Sequence, residues 1–233
     1  MRVTLFACML LLTATGVATA QSGSCLDVGD EPHHKLVFQN ADARVYLLEL
    51  PRLASTISHC HSHPYVYIVA GSGTTSNTVE GRGTMSHDWS ASETRVVHTP
   101  MQHVIRNESL NTHRELVIEL LHNVSYDPLS GSYENDLFPS DLGSARPTWT
   151  VSFSLGAMTA SKNQLAPGAE LSVSNASRVL LAISDLELRK QTKGRPDELL
   201  QIAAEEAIVL PSGTGFTLVN ASQRPANFIL LEF

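Results

Sequence analysis

The chain is short of charge. Only 17% of its 233 residues are Asp, Glu, Lys or Arg, against 42% hydrophobic, a balance that argues for an ordered core. It has no basic run, and its formal net charge is −7, so nucleic acid is not expected as a partner. Beyond the N-terminus it has no apolar stretch long enough to span a bilayer. Cysteine is scarce: of three, only Cys25 and Cys60 lie beyond position 20. Histidine is absent after His122 although ten occur up to and including that point. Any histidine chemistry is therefore confined to the first half.

What is present begins with a segment that reads as a secretory signal peptide over residues 1–20. Arg2 supplies the positive charge, residues 5–12 are apolar, and Ala18-Thr19-Ala20 is a small-x-small cleavage site. The mature chain would start near Gln21 and be secreted or periplasmic. An N-terminal anchor helix is the alternative, although the apolar run is short for one. In an oxidising compartment Cys25 and Cys60 would either form a disulfide or leave Cys60 as a buried free thiol; both readings stay open.

Short apolar, β-rich runs follow at 44–50, 65–70, 94–98, 115–121, 150–155, 179–183, 207–210, 216–219 and 227–233. Turn residues separate them, a pattern that predicts an all-β sandwich or barrel. Only 196–206, opening Pro196-Asp197-Glu198, has the look of a helix. A Ser-, Gly-, Pro- and Asp-rich stretch at 127–147 reads as a linker. The two sides share a rhythm, with His98-x-Pro100-x-x-His103-x-x-x-Asn107 matched by Pro211-x-Gly213-x-x-Phe216-x-x-x-Asn220. This suggests an internal duplication: units at 31–124 and 148–233 joined by a linker at 125–147.

The strongest chemical feature is His59-Cys60-His61-Ser62-His63. Residues two apart on a strand share a face, so these imidazoles would look the same way. Imidazole suits iron, copper, zinc or nickel better than calcium or magnesium. His103, in a turn-to-strand segment of the same half, is the candidate third ligand. His63 is a candidate fourth ligand or proton-transfer group. His33, His34, His87, His113 and His122 are expected at the surface or rim. Glu115 and Glu119 could supply a carboxylate, with at least one expected to be exposed. Tyr65 and Tyr67 either bring a hydroxyl to the site or simply pack. Asn107, Asn123, Asn175 and Asn220 each open an Asn-x-Ser sequon, from which no glycosylation is inferred; Asn107 and Asn220 are expected to serve a turn.

On these residues the sequence resembles the cupin superfamily. The first cupin motif, G-x5-H-x-H-x(3,4)-E-x6-G, fits at His59, His61 and Gly73, with Leu53 at the first Gly and Val66 at the Glu. The second, G-x5-P-x-G-x2-H-x3-N, falls on Ser92, His98, Pro100, His103 and Asn107. In the second half Gly168 leads to Ser174 and Ala176 in place of the His pair, and Phe216 replaces the third His. The resemblance covers roughly 35–122 and 148–233. It implies two tandem jelly-roll barrels, a bicupin, with one metal on His59, His61 and His103 and a second barrel without one.

The metal implied is a divalent transition ion, Fe, Mn, Ni, Cu or Zn, whose identity the sequence does not fix. Without the Glu, three neutral imidazoles leave the full ionic charge to attract an anionic ligand. Cupin thiol and diketone dioxygenases use such a set, whereas oxalate-type cupins keep the Glu. The expectation is therefore a metal-dependent, dioxygenase-like enzyme acting on a small anionic or enolisable molecule. A non-catalytic small-ligand binder or storage-like protein is the alternative, and paired strands between barrels could build a homodimer.

Overall fold

The computed structural model describes residues 25–97, 101–122, 137–138 and 147–233. The expected signal peptide, nearly all of the expected linker, His98, Pro100 and Asn123 lie outside the described residues. Within them the regular structure is β, apart from one 3-10 turn at Val28–Asp30, and no helix is long and apolar enough to cross a membrane.

The first half carries β1 (Leu26–Asp27), β2 (His34–Gln39), β3 (Ala43–Leu50), β4 (His59–His61), β5 (Tyr65–Val69), β6 (Gly73–Val79), β7 (Gly83–Trp89), β8 (Thr94–Val97), β9 (Met101–Asn107) and β10 (His113–Leu120). The second carries β11 (Trp149–Leu155), β12 (Met158–Leu165), β13 (Glu170–Val173), β14 (Arg178–Ala182), β15 (Leu186–Thr192), β16 (Glu198–Ile202), β17 (Ala207–Leu210), β18 (Phe216–Asn220) and β19 (Ala226–Glu232). Four sheets result. Those of the first half run β1-β4-β9-β6-β7 and β2-β3-β10-β5-β8; those of the second run β13-β18-β15-β16 and β11-β12-β19-β14-β17. Setting β1 aside, every strand of the first half has its counterpart nine strands later, in the same sheet position. The duplication suggested by sequence rhythm is thus present in the sheet order.

The sheets stack because their central strands are apolar on both faces. On β19, Ile229 and Leu231 face one way and Phe228 and Leu230 the other. One face joins the halves: Val45, Val66, Ile68, Leu116 and Ile118 pack against Met158, Val179, Leu181, Ile229 and Leu231. Stacked rings of Phe38 and Phe233, 5.0 Å apart, and an Arg114–Glu205 ion pair at 3.1 Å add to this junction. The opposite face of β19 closes on the second half's smaller sheet through Leu180, Leu188, Phe216, Leu218 and Phe228. In the first half the same interior space holds histidines and tyrosines instead.

One expectation fails. Residues 196–206 form no helix; Glu198–Ile202 is β16, paired antiparallel with Leu186–Lys190. The helix-favouring Glu, Leu and Gln are overruled by the hairpin with β15 and by burial of Ile202 in the second core.

Two backbone features tie both halves to the motif. Asn107 is buried and donates its amide to the carbonyls of Leu50, Pro51 and Asn111 while accepting from Ser109 N. Asn220 does the same with Leu165, Arg224 and Ser222 N. Among the described residues, the non-glycine ones with positive φ are Leu53 (57°), Ser92 (70°) and Glu205 (68°). Leu53 and Ser92 stand at the motif glycine positions. Glu205 lies six residues before Pro211, as Ser92 lies six before His98. The fourth such position is a real glycine, Gly168, at φ 74°. The chain has kept the left-handed turns while losing three of the four glycines that relieve them.

Candidate metal centre

β4 is short and lies between β1 and β9. β1 runs parallel to it, with Leu26 beside His59 and Asp27 beside Cys60. Cys60 is disulfide-bonded to Cys25, with a Cα–Cα distance of 5.8 Å, so the open question of their pairing resolves to a disulfide. Strand alternation then turns His59 and His61 to the opposite side, into the interior. β9 pairs antiparallel to β4 and sets His103 directly across from His59.

The three rings converge. Centroids are 4.5 Å apart for His59 and His103, and 5.3 Å for His61 with either. One ring nitrogen from each lies within 4.8 Å of the others. His59 is 0% exposed, His61 1% and His103 3%.

Their hydrogen bonds select a tautomer. His59 Nδ1 donates to the Ile57 carbonyl at 2.9 Å, and His103 Nδ1 to Asn77 Oδ1 at 3.0 Å. The Nε2 of each is thereby left as a lone pair, buried and without a partner. Burial lowers the pKa of all three, and mutual repulsion brings His61 and His103 to about 2. Orphaned lone pairs on neutral, mutually facing imidazoles are costly in a protein interior and are what a transition-metal ion requires. The residues present fit such an ion.

Other predicted residues fall differently. His63 lies half-buried past the end of β4, outside the three-histidine cluster and the lining of the cavity beside it, but near enough to bear on Glu119. Val66, placed at the motif Glu with a four-residue spacer, points into the core between halves. Tyr65, reached by a three-residue spacer, is the one beside the site, its ring stacked on His61 at 4.0 Å. Glu115 and Glu119 are both buried, against the expectation of exposure, because β10 is covered by a sheet on each side. Glu115 accepts from His113 Nε2 at 3.2 Å. Glu119 pairs with Arg44 at 2.9 Å and lies 3.5 Å from His61 Nδ1; burial raises its pKa, with Arg44 opposing.

His34 and His113 are buried rather than at the rim. His34 matters most. Its ring lies 4.8 Å from that of His59 and 6.3 Å from that of His61. Its Nδ1 donates to Glu31 at 2.8 Å, and its Nε2 is buried without a partner. Glu31, also buried, accepts from the backbone and side chain of His33 as well. Burial pushes its pKa up, but the hydrogen bonds of His34 and His33 outweigh that and hold it at about 2. No local pattern marks this pair, since its neighbours Lys35 and Leu36 are exposed.

A cavity of about 60 Å³ opens beside the cluster. His34, His61 and His103 form one wall; Tyr65, Tyr67, Trp89, Val97, Met101, Ile105 and Val117 supply most of the rest. Three of its polar groups have partners within the protein: Thr75 accepts from Trp89 Nε1, Asn77 from His103, and Glu115 from His113. Among the described residues, neither lysine nor arginine lines it.

In the second half Phe216 is paired with Val173, as His103 is with His59. By register the counterpart of His59 is therefore Val173, one residue before the Ser174 that motif spacing indicates. Ser174 is exposed and bonded to Glu232.

No protein-family model matches the chain, and no curated protein matches its sequence. Solved structures do. AerE from Microcystis aeruginosa superposes with a TM-score of 0.59 at 15% identity, over 86% of this chain and 92% of that one. A cupin 2 conserved barrel domain protein from Leptotrichia buccalis gives 0.58 at 11%, over 85% and 87%. An oxalate decarboxylase from Bacillus subtilis, described for its Mn(II) centres, gives 0.55 at 11%, over 89% and 76%. At these identities the likeness shows the fold, and the fold is that of cupins.

Proposed function

We propose that this chain is a secreted bicupin, with barrels at 31–124 and 148–233. In this reading the first barrel holds one divalent transition metal on His59, His61 and His103 and uses it on a small anionic or enolisable molecule in a dioxygenase-like reaction. The observation that carries the metal reading is the convergence of three buried imidazoles, with the Nε2 of His59 and of His103 left without a hydrogen-bond partner. A divalent ion there would supply Lewis-acid polarisation of a bound donor atom. The predicted signal peptide and the Cys25–Cys60 disulfide favour an oxidising location outside the cytoplasm.

The chain's own residues set the ligand. The aromatic and aliphatic wall favours an apolar body and excludes water. With no cation in the lining, the metal is the sole positive anchor, so one anionic donor atom is accommodated. A second carboxylate would meet Glu115 and no counter-charge. Enolates, phenolates and thiolates with an apolar body fit better than small dicarboxylates. His63, outside the cavity lining but near the Glu119 that lies against His61, serves better as a proton-transfer group than as a ligand. The hydrogen bonds that Thr75, Asn77 and Glu115 already accept within the protein favour a second reading, a small-ligand binder without turnover. A homodimer through edge strands is compatible with either.

The test is oxygen uptake and ligand binding by metal-loaded protein against diketones, catechols, thiols, and mono- and dicarboxylates. Preference for a monoanion with an apolar body, with oxygen consumed, is the expected result. Binding without oxygen uptake supports the second reading. Preference for a small dicarboxylate overturns the ligand assignment.

A further inference from the structure

We infer that His34 is a fourth imidazole of the metal site, held in its metal-facing tautomer by the buried carboxylate of Glu31. This rests on the three-histidine reading above and extends it to a residue far from either cupin motif.

The argument is one of repeated geometry. His59, His103 and His34 share one hydrogen-bonding pattern: Nδ1 donates to a fixed oxygen, and Nε2 is buried with nothing to bond. Metal-bound histidines characteristically donate their second nitrogen to a carboxylate or carbonyl, which fixes the ring and raises its basicity. For His34 that partner is Glu31, itself fastened by His33 and by a contact from Ile57 N at 3.3 Å. A buried imidazole wanting only an internal hydrogen bond would not need so heavily supported a carboxylate.

Distance agrees with the inference. With metal–nitrogen bonds of about 2.0–2.1 Å, two imidazoles on one ion have ring centroids no more than roughly 6.5 Å apart. His34 stands at 4.8 Å from His59 and 6.3 Å from His61, inside that bound. It lies outside the set of nitrogens within 4.8 Å of one another, so ligation draws its ring slightly inward. His34 also lines the cavity beside His61 and His103, which leaves space for that shift.

The consequence is a site whose negative charge sits one hydrogen bond behind a ligand. Tyr65 and Val66, the two residues that either spacing of the motif places at its Glu, carry no carboxylate. Glu31, acting through His34, restores a charge near the ion without occupying a coordination position.

The test uses chelator-stripped full-length protein titrated with Co²⁺. It reads the visible ligand-field spectrum and, by competition with a chelator, the Kd; apo-state thermal unfolding checks that each variant folds. His34→Ala is expected to weaken Co²⁺ binding by roughly tenfold or more and to change the spectrum. His34→Gln, which keeps a polar side chain of similar length, should do likewise if the alanine variant folds poorly. Glu31→Gln should weaken binding less and shift the same bands. His122→Ala, which removes an exposed imidazole paired with Asp42 away from the site, should leave the spectrum unchanged. A His34 variant with the wild-type spectrum and Kd, when His59→Ala has lost binding, overturns the fourth ligand alone. A wild-type protein that binds no Co²⁺ overturns the three-histidine reading and this inference with it.

Discussion

His103 and Phe216 occupy one position of a repeated sheet. Each lies four residues before a buried asparagine, Asn107 or Asn220, and each faces a residue of the neighbouring short strand, His59 or Val173. The backbone frame is common to both, and the interior differs. Around Phe216 the space is filled by Leu180, Leu188, Leu218 and Phe228, which gain stability from burial alone. Around His103 it is filled by imidazoles, and the buried Nε2 atoms of His34, His59 and His103 have no partners. The first half therefore bears an unfavourable interior that only an ion or ligand relieves.

The left-handed turns offer a test of the duplication. Leu53 holds φ 57° and is 43% exposed, so little packing is lost on removing its side chain. Left-handed backbone costs an ordinary residue about 1–2 kcal/mol relative to glycine. Leu53→Gly is expected to stabilise the protein by about 0.5–1 kcal/mol, read as a higher urea midpoint. Glu205→Gly should gain less, because it also removes the ion pair with Arg114. A loss of stability at Leu53, as glycine normally brings, would count against the motif assignment.

Reduction of the disulfide should act on both stability and metal. Cys25 and Cys60 are 35 residues apart, and closing such a loop is worth about 4 kcal/mol in the chain-entropy model. Cys60 lies between two of the three histidines, so freeing β1 also loosens the strand that carries them. Cys25→Ser is expected to lower the unfolding midpoint and weaken metal binding together. Full metal affinity in the reduced protein would show that β9 and the sheet alone hold the cluster.

Acid should destabilise the metal-free protein early. His61 and His103 are held at about 2 against an ordinary 6.5, and Glu31 at about 2 against 4.5. A depressed folded pKa means that the unfolded chain binds protons the folded chain refuses. The stability involved is fully present above the unfolded value and is lost as pH falls towards the folded one. The histidine contribution therefore begins to fall near pH 6.5, and that of Glu31 near 4.5. Glu119, raised by burial, runs the other way and offsets part of this. The apo unfolding midpoint is expected to decline steadily from pH 7 to 4; a flat profile down to pH 5 would contradict the burial of neutral imidazoles.

How much of this could be read in the sequence depends on whether a signal was local. His59 and His61 were legible because alternation on a strand is a two-residue rule, and His103 because Asn107 marks its spacing. His63 falls outside the three-histidine cluster because β4 ends at His61, before the alternation reaches it. Glu115 and Glu119 share a face of β10, but no sequence pattern reveals that a second sheet covers that face. The helix read over 196–206 failed because the partner strand that overrules it, β15, is set by tertiary pairing. His34 and Glu31 were invisible for the same reason: they meet His59 only through folding, across 25 or more residues. The choice between Tyr65 and Val66 turned on one residue of spacer, which only the sheet register decides.

The most direct test is elemental analysis of untagged wild-type protein beside His59→Ala and His103→Ala, purified identically and shown to be folded. The expected result is close to one equivalent of a single transition metal in the wild type and a small fraction of that in either variant. Wild-type protein that carries no metal and takes up none on incubation with Fe²⁺, Mn²⁺, Co²⁺, Ni²⁺, Cu²⁺ or Zn²⁺ would contradict the account, as would variants that retain the full equivalent.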